Sequence, residues 1–487
     1  MRYTILSVLA AATLAGGTSC SDLTSINQNP NGPTAVPPPS LLSNVIQATV
    51  NGVDGVNSLN IRAAGLWVQY YAEIQYRDED KYLIRAGTDG GWGFYSGAVE
   101  DAQRMINGGV AAGAPNWEAV GRIMKSYLYS VMTDAMGGIP YSEALKGDSL
   151  LTPKYDTQQA IYTALFADLT KASQQIDLSG IPPAGVGFPK GDIMYGGDLT
   201  KWRKFANSLR LRLAMHLASV DPATAQSEAL SALAAGVFQS NADNAQLLYL
   251  AGAPNQNPIY DDALGRDDYG MSKTFVDSLL SWKDPRLPVF AQLNKDTIKA
   301  NITYEGMPNG LNDGGGPALF YISRYGAYWR ETPNAPLELL TYSEVLFLEA
   351  EAAQRGWIGG SADSLYTAAI RASMQQYGVS DSAANAYLSD TVRVRYNPAN
   401  GLTQIAYQKW VSLFMQGMEG WTEVRRTGVP RLVPGPNAIL STIPERLPYA
   451  SNEQVLNKAN VDAAVAAQQF ASFADLATPL WFTGRAP

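Results

Sequence analysis

Two clusters of aromatic residues are the part of this sequence best suited to binding chemistry. The chain holds 26 Tyr and 10 Trp against 13 Phe, so most of its rings carry a polar group at one edge. Such rings can lie partly exposed while their N–H or O–H groups stay hydrogen-bonded. A sugar ring has the matching surface, because its axial C–H bonds form an apolar face and its equatorial hydroxyls form a polar belt. Aromatic stacking with polar contacts from Asn, Asp and Arg therefore suits a saccharide.

The first cluster, which we call the early-loop cluster, comprises Tyr76, Trp92, Phe94 and Tyr95. Glycines flank Trp92 on both sides, and their conformational freedom lets a loop present the indole outward. The second, the late-loop cluster, comprises Tyr321, Tyr325, Tyr328 and Trp329, with Arg324 and Arg330 nearby. The alternative for each cluster is packing in the core or contact with a protein partner. Trp92 is the first candidate for ligand contact.

The sequence lacks the residues that most enzymatic sites need. It contains one histidine and one cysteine, His216 and Cys20, which excludes a Ser-His-Asp triad, a Cys-His pair and a multi-histidine metal site. We expect His216 to pack in the core. No Walker loop occurs, and no G-x-G-x-x-G opens a helix after a strand. A carboxylate pair of the glycosidase kind stays open, because 44 acidic residues offer many pairs and no pattern singles one out.

A group of acids could supply oxygen ligands to calcium: Asp261, Asp262, Asp267 and Asp268. Its spacing is not that of an EF-hand. We therefore expect solvated loop carboxylates here, with no bound metal, and we predict no cofactor elsewhere in the chain.

The charge balance restricts the possible partners. The chain has 36 basic and 44 acidic residues and a net charge of -8. No basic run or basic-aromatic strip occurs, which argues against a nucleic-acid partner. An acidic surface also argues against electrostatic docking to anionic lipid.

The N-terminus predicts export and lipidation. Residues 1–19 combine a positive start at Arg2, an apolar stretch of signal-peptide length and a run of small residues. Cys20 follows that run as in a bacterial lipobox, although Gly17 stands where such motifs prefer Leu. The alternative is a secretory signal with an incidental cysteine. Residues 20–40 are polar and rich in Asn and Pro, which indicates a lipidated tether.

Amphipathic helices must position the aromatic loops. The clearest runs from Asp198, as N-cap, to Val220, with apolar residues at spacings of three and four. Its basic residues interrupt the stripe and must reach the surface or pair with carboxylates of neighbouring helices: Arg203, Lys204, Arg210 and Arg212. Other helices are predicted over 41–76, from about 96, and over 117–136, 156–176, 223–235, 272–281, 340–357, 361–378 and 404–424. Residues 240–335 are otherwise irregular, which is typical of a binding surface.

Helices 340–357 and 361–378 are predicted to form a hairpin. Ala362, Tyr366 and Ala369 have the spacing of the second helix of a tetratricopeptide repeat. The alternative to a tetratricopeptide unit is an ordinary tight hairpin of helices with small residues where the two helices cross. The sequence shows no repeat of fixed length, so any repeat units would be degenerate.

Several segments, taken in order, resemble the SusD/RagB family of outer-membrane nutrient-binding lipoproteins, in particular its SusD-like branch. They are INQNPNGPT after the cysteine, TDAMGGIPYSEAL at 133–145, YDTQQAIYTALFADL at 155–169, GGDLTKWRKFANSLRLRLA at 196–214, DPRL at 284–287, LTYSEVLFLEAEAAQRGW at 340–357 and LW at 480–481. Each segment alone is weak evidence for the family. The whole set, in this order, is specific for it and spans nearly the whole mature chain.

The resemblance implies an all-α fold, with four degenerate tetratricopeptide-like units on one side and an irregular ligand surface on the other. Residues 41–487 would form this single domain. It also implies a lipid-anchored protein on the outer surface of the outer membrane, acting as a lid over a TonB-dependent barrel of the SusC type. Ligands in the family are oligosaccharides, with peptides in some members, and an aromatic of the early loop commonly lines the site. The alternatives are a glycan hydrolase and a protein-binding helical-repeat scaffold.

Overall fold

Helices account for most of the structure. The computed structural model describes residues 38–85, 91–179, 191–295 and 302–485. Its helices are α1 (Pro38–Asp54), α2 (Gly65–Trp67), α3 (Ala98–Ala111), α4 (Pro115–Met136), α5 (Gln158–Gln175), α6 (Leu199–His216), α7 (Pro222–Ala235), α8 (Pro258–Gly265), α9 (Lys273–Trp282), α10 (Leu287–Phe290), α11 (Ala327–Arg330), α12 (Tyr342–Gln354), α13 (Ala362–Gln376), α14 (Asp381–Leu388), α15 (Gly401–Ser412), α16 (Gly417–Thr427), α17 (Glu453–Leu456) and α18 (Lys458–Ala467). The predicted all-α class is confirmed.

Helix α6 begins as its sequence predicts. The Asp198 side chain accepts hydrogen bonds from the backbone N–H groups of Thr200 and Lys201, at 3.0 and 3.2 Å, and so caps the helix. Its apolar stripe is buried: Trp202, Phe205, Leu209 and Leu213. The helix ends at His216 rather than at the predicted Val220, because Asp221 already caps α7.

Consecutive helices pack on one another as in a helical-repeat protein. Helix α4 packs between α3 and α5, and α6 packs between α5 and α7. Helices α12 and α13 form the predicted hairpin, in which Tyr366 and Ala369 are buried. Helix α12 also contacts α6 and α15, which joins the two halves of the array. None of the helices in the described ranges combines the length and the apolar character needed to cross a membrane.

Two predicted helices are each divided in the structure. The segment 41–76 forms most of α1, a π-helical turn (Asn60–Ala64), α2 and a whole short strand, Tyr71–Glu73. The segment 404–424 is split into α15 and α16 at Met415, which has a φ of 74°. The two breaks meet, because the buried Asn60 side chain donates to the Met415 carbonyl at 2.7 Å and accepts from the Gly417 N–H at 3.1 Å. A long-range polar contact of this kind leaves no periodic trace in the sequence.

The start of α5 differs from the predicted capping box by one residue. Thr157, not Asp156, accepts the capping hydrogen bond, from the backbone N–H of Ala160. The Asp156 carboxylate instead accepts from the backbone N–H groups of Tyr141 and Ser142, at 3.1 and 2.7 Å. These two hydrogen bonds therefore attach the loop that contains Tyr141 to the start of α5.

The strands are short, and each pair joins one strand inside the loop-rich part of the chain to one outside it. Strand β1 (Tyr71–Glu73) pairs antiparallel with β3 (Tyr269–Met271), and β2 (Ala245–Leu247) pairs antiparallel with β4 (Leu337–Leu340). Helix α9 occupies almost the predicted range, with Ser272 as its N-cap. Helix α8 was not predicted, and Asn257 caps it.

A buried network of ion pairs joins α6 to its neighbours, so Arg212 follows the second of the two predicted alternatives. Arg212 binds Glu344 of α12 through two contacts of 2.6 Å. Arg426 of α16 likewise binds Glu351 of α12, at 2.8 and 2.7 Å. Buried charges must be paired to be tolerated, so these pairs fix how the helices meet.

His216 belongs to the same network, as a packed core residue. Its Nδ1 lies 3.1 Å from an Asp134 carboxylate oxygen, and its Nε2 lies 3.1 Å from one of Glu419. Burial disfavours the charged imidazolium, but Glu419 and Asp134 outweigh that effect and raise the pKa of His216 from 6.5 to about 9. The folded protein therefore holds this proton more tightly than the unfolded chain does.

We predict that His216 makes stability fall as the pH rises. A raised pKa contributes stability in full below pH 6.5, and that contribution is lost between pH 6.5 and about 9. The loss should be on the order of 3 kcal/mol, at about 1.4 kcal/mol per pKa unit. Urea unfolding at pH 6, 7, 8 and 9 measures it. In His216→Gln the slope over this window should flatten; an unchanged slope would assign the effect to other groups.

Candidate functional site

Trp92 lies at the start of a short 3-10 turn, Trp92–Phe94. Gly91 precedes it with a φ of 105°, a backbone conformation that favours glycine. The half-buried indole packs against three tyrosines: edge-on to Tyr95 at 5.3 Å, near-parallel to Tyr155 at 6.0 Å and edge-on to Tyr449 at 6.1 Å between ring centroids. Trp92 is thus held among rings from distant parts of the chain.

The hydroxyls beneath Trp92 are fixed by hydrogen bonds. Tyr155 donates to a Glu453 carboxylate oxygen at 3.0 Å. Tyr449 donates to the carbonyl of Gly138 at 2.6 Å and accepts from the Gln468 amide at 2.7 Å. These contacts hold the two rings in place, edge to face at 5.1 Å.

Tyr95 extends the cluster in the other direction. Its hydroxyl donates to the carbonyl of Pro140, and its ring meets that of Tyr129 at 5.9 Å. Tyr129 in turn packs edge to face against Tyr141 at 4.6 Å. We call this set the Trp92 cluster: the half-buried Trp92, Tyr95, Tyr141 and Tyr155 and the buried Tyr129 and Tyr449 beneath them.

The Trp92 cluster presents neutral rings. Burial, aided by nearby acidic groups, raises the pKa of Tyr141 and Tyr155 well above the ordinary value. Burial also raises the pKa of Tyr449 to about 12. These hydroxyls therefore stay protonated at physiological pH. Lys125, whose ammonium lies 5.5 Å from the Tyr141 ring centroid, has a pKa lowered by burial.

The structure divides the early-loop cluster. Trp92 and Tyr95 come together as described. Phe94 is only 9% exposed and lies against Gly52 of α1 so closely that a Cβ there would fall 2.5 Å from its ring. The expectation that Phe94 contacts ligand is therefore corrected, because it anchors the loop instead. Tyr76 is 56% exposed, and its ring faces the Arg266 guanidinium at 5.4 Å.

The late-loop cluster is mostly core. Trp329 is 0% exposed and Tyr325 is 5% exposed. Trp329 packs against Phe414 at 5.3 Å, and Tyr325 packs against Tyr71 at 5.1 Å. The expected ligand contact of these two residues is corrected, since neither offers a surface to solvent. Tyr328 and Arg324 remain half-buried candidates.

Two of the four acids in the late loops are paired with arginines. Asp267 accepts from Arg324 at 2.8 Å and from Arg330 at 2.6 Å. Asp268 pairs with Arg266. Burial raises the pKa of Asp262 to about 6. The expectation of solvated carboxylates is therefore corrected for Asp267 and Asp268, which have arginine partners, whereas Asp261 is exposed as expected.

Within the described ranges, one group has the spacing of a metal site: His216, Glu419 and Glu423. The Lys409 ammonium lies 3.2 Å from a Glu423 oxygen and 3.5 Å from a Glu419 oxygen. The Lys409 ammonium therefore already occupies the position of a cation beside these two carboxylates. Cys20, the predicted lipidation site, lies outside the described residues.

Sequence reasoning missed the tyrosines that complete the Trp92 cluster. Tyr141 and Tyr155 lie within segments that carry the family resemblance, which was the available signal for them. Tyr449 lies in an irregular segment near the C-terminus, with no motif to mark it. Its contact with Trp92 depends on the tertiary fold alone.

Comparison with known proteins gives a consistent result. The family model SusD-like_2, described as starch-binding associating with outer membrane, matches residues 30–450. No curated protein matches the chain. A solved chitin-binding protein is 29% identical, with a TM-score of 0.80 over 92% of this chain and 99% of its own.

Two further structures agree. A chitin-binding SusD homologue from Flavobacterium johnsoniae is 27% identical, with a TM-score of 0.78 over 92% of this chain and 99% of its own. A SusD homologue from Bacteroides fragilis is 25% identical, with a TM-score of 0.79 over 93% of this chain and 100% of its own. With the family model covering most of the sequence and the helical array shared throughout, this chain belongs to the SusD-like family.

Proposed function

We propose that this protein captures neutral glycans at the Trp92 cluster and releases them chemically unchanged. The observation that carries the proposal is the cluster itself, in which half-buried rings from three separate segments are held by hydrogen-bonded hydroxyls. Rigid aromatic surfaces bind with little loss of conformational entropy. A hydroxyl of a stacked sugar ring can also donate a hydrogen bond to the oxygen of Tyr141 or Tyr155, whose own protons are already donated to Asp168 and Glu453.

The ligand class follows from charge and from the relatives. The rings of the Trp92 cluster are neutral, which favours an uncharged polymer. The cations beside them already lie against two of the rings, with Lys125 5.5 Å from the Tyr141 centroid and Arg446 4.7 Å from the Tyr449 centroid. Two structural relatives are named as chitin-binding, and the family model is described as starch-binding. Chitin fragments and starch fragments are therefore the first ligands to test. A peptide ligand is the alternative within the family.

Delivery to a transporter completes the proposal. Residues 1–19 would be removed as a signal peptide, Cys20 would carry lipid, and the segment between Cys20 and the start of α1 at Pro38 would tether the body to the outer membrane at the cell surface. Three acyl chains give stable anchoring, since two membrane signals already suffice. The partner would be a TonB-dependent barrel of the SusC type, over which the protein would lie as a lid.

A binding and turnover assay tests this function. The chain from residue 21 onward should bind at least one glycan of a panel saturably, with no release of new reducing ends over hours. The panel contains chitotriose, maltotriose, cellotriose and the corresponding insoluble polymers. Product release would show a glycan hydrolase. Absence of saturable binding across the panel, together with binding to peptides, would replace the glycan with a peptide ligand.

A further inference from the structure

A second cleft lies apart from Trp92, between the start of α5, the end of α18 and the C-terminal segment. We call it the C-terminal cleft. It encloses about 580 Å³ and is lined by Thr157, Gln159, Gln469, Phe470, Leu480 and Trp481, among others. We propose that the C-terminal cleft is a second saccharide-binding site, selective for a neutral ring. The ligand class rests on the proposed function, but the site does not.

The size and the apolar walls of the cleft suit a small ligand. Its volume falls within the roughly 300–1,000 Å³ of typical ligand pockets. Phe470 and Leu480 are buried and form its floor, while Trp481 is half-buried and lines it. The Trp481 ring meets Tyr162 edge to face at 6.1 Å, which fixes the orientation of the indole.

The polar lining consists mainly of side-chain amides. Gln159 and Gln469 are exposed at the cleft. A side-chain amide has two N–H donors and one carbonyl acceptor, so it can donate a hydrogen bond to a sugar hydroxyl or accept one from it. Gln469 has a φ of 58°, which is uncommon for a residue other than glycine and turns the chain out of α18 at the cleft. Amides beside an indole are therefore groups that suit the hydroxyls and the apolar face of a sugar ring.

The charge of the cleft argues against ionic ligands. Arg485 is the charged residue among those that line it. Its guanidinium binds both carboxylate oxygens of Glu445, at 2.8 and 2.5 Å, so its charge is already compensated. An anionic ligand would have to compete with Glu445 for this guanidinium, and a cationic one would meet no carboxylate among the lining side chains. A neutral polyhydroxylated ring meets neither obstacle.

The C-terminal cleft shares a wall with the Trp92 cluster but not its contact residues. Gln468 lines the cleft and donates to Tyr449, whose ring packs under Trp92. Phe470, at the cleft floor, lies 6.1 Å from the Tyr449 ring. Trp92 and Trp481 are therefore separate reporters of two neighbouring sites.

Fluorine NMR of the chain labelled with 5-fluorotryptophan can observe the two sites separately. The protein has 10 tryptophans, and Trp481→Phe and Trp92→Phe assign the two resonances of interest. The probes are chitotriose, maltotriose, cellotriose and, as an anionic comparison, trigalacturonate. We expect at least one neutral trisaccharide to shift the Trp481 resonance saturably by about 10 mM, the range of weak binding. The shift should persist in Trp92→Ala.

The lining amides provide the second variant. The double substitution Gln159→Ala and Gln469→Ala removes two exposed side chains and should raise the Kd read from the Trp481 resonance about fivefold or more. The Kd read from Trp92 should stay unchanged. An unaltered Trp481 Kd would overturn the assignment of the site to these amides.

The outcomes separate this inference from the proposed function. A response of Trp92 without any response of Trp481 overturns the second site and leaves glycan capture intact. A response of Trp481 alone supports the cleft and removes the Trp92 cluster as the binding surface. A larger Trp481 shift with trigalacturonate than with the neutral sugars overturns the selectivity. If no probe shifts either the Trp92 or the Trp481 resonance, both proposals are rejected.

Discussion

Trp92→Ala should weaken glycan binding at least about tenfold, which corresponds to about 1.4 kcal/mol. The indole is the central ring of the Trp92 cluster, in contact with Tyr95, Tyr155 and Tyr449. Its removal takes away a stacking face and loosens the rings around it, and buried aromatic anchors are the residues that dominate binding energy. Isothermal titration with the best trisaccharide of the panel measures the change.

Two variants make this prediction specific. Trp92→Phe keeps a flat ring and should lose less affinity than Trp92→Ala. Trp357→Ala removes a half-buried tryptophan that instead lies beside Arg355, with 5.5 Å between the guanidinium and the ring, and should bind as the wild type does. Equal affinities of Trp92→Ala and Trp357→Ala would remove Trp92 from the site.

Arg212→Met should lower the free energy of unfolding by about 3–5 kcal/mol. Arg212 makes a bidentate pair with Glu344, both sides at 2.6 Å, and also donates to the carbonyl of Leu339. The two side chains are 4% and 0% exposed, so the substitution leaves a buried carboxylate without its main partner. A fall in the urea midpoint, with an unchanged slope, measures the loss.

A nearby ion pair supplies the control. Arg210 binds Glu228 at 2.6 Å, but both side chains are more accessible, at 12% and 22%. Arg210→Met should therefore cost no more than about 1 kcal/mol. The double variant of Arg212→Met and Glu344→Met should recover part of the loss, because it removes the carboxylate that Arg212→Met leaves buried, while Glu419, the other partner of Arg212 at 3.4 Å, keeps His216 and Lys409. Equal losses for the Arg210 and Arg212 variants would contradict the structural role of the buried network.

Local patterns predict the helices of this protein well. Asp198 caps α6 as its position predicts, and the apolar spacing behind it is buried. The errors occur where distant groups decide the local structure. Asn60 divides one predicted helix because its side chain bonds to Met415 and Gly417, which lie more than 300 residues away.

The candidate site is less predictable, because ring composition does not reveal which rings reach the surface. Trp92 and Trp329 occupy similar aromatic loops in the sequence. Trp92 is half-buried among tyrosines, whereas Trp329 is fully buried against Phe414. Tyr449 joins the Trp92 cluster from the other end of the chain. The family resemblance identifies part of the site, because the matching segments include Tyr141 and Tyr155. It does not predict that these two tyrosines lie close to Trp92.

The most direct test of the account is a crystal structure of the protein with a bound oligosaccharide from the panel. We predict one sugar ring stacked against the Trp92 cluster, within van der Waals distance of the indole or of the Tyr155 ring. A well-ordered glycan bound only at the late loops around Tyr328, with Trp92 untouched, would contradict the central claim.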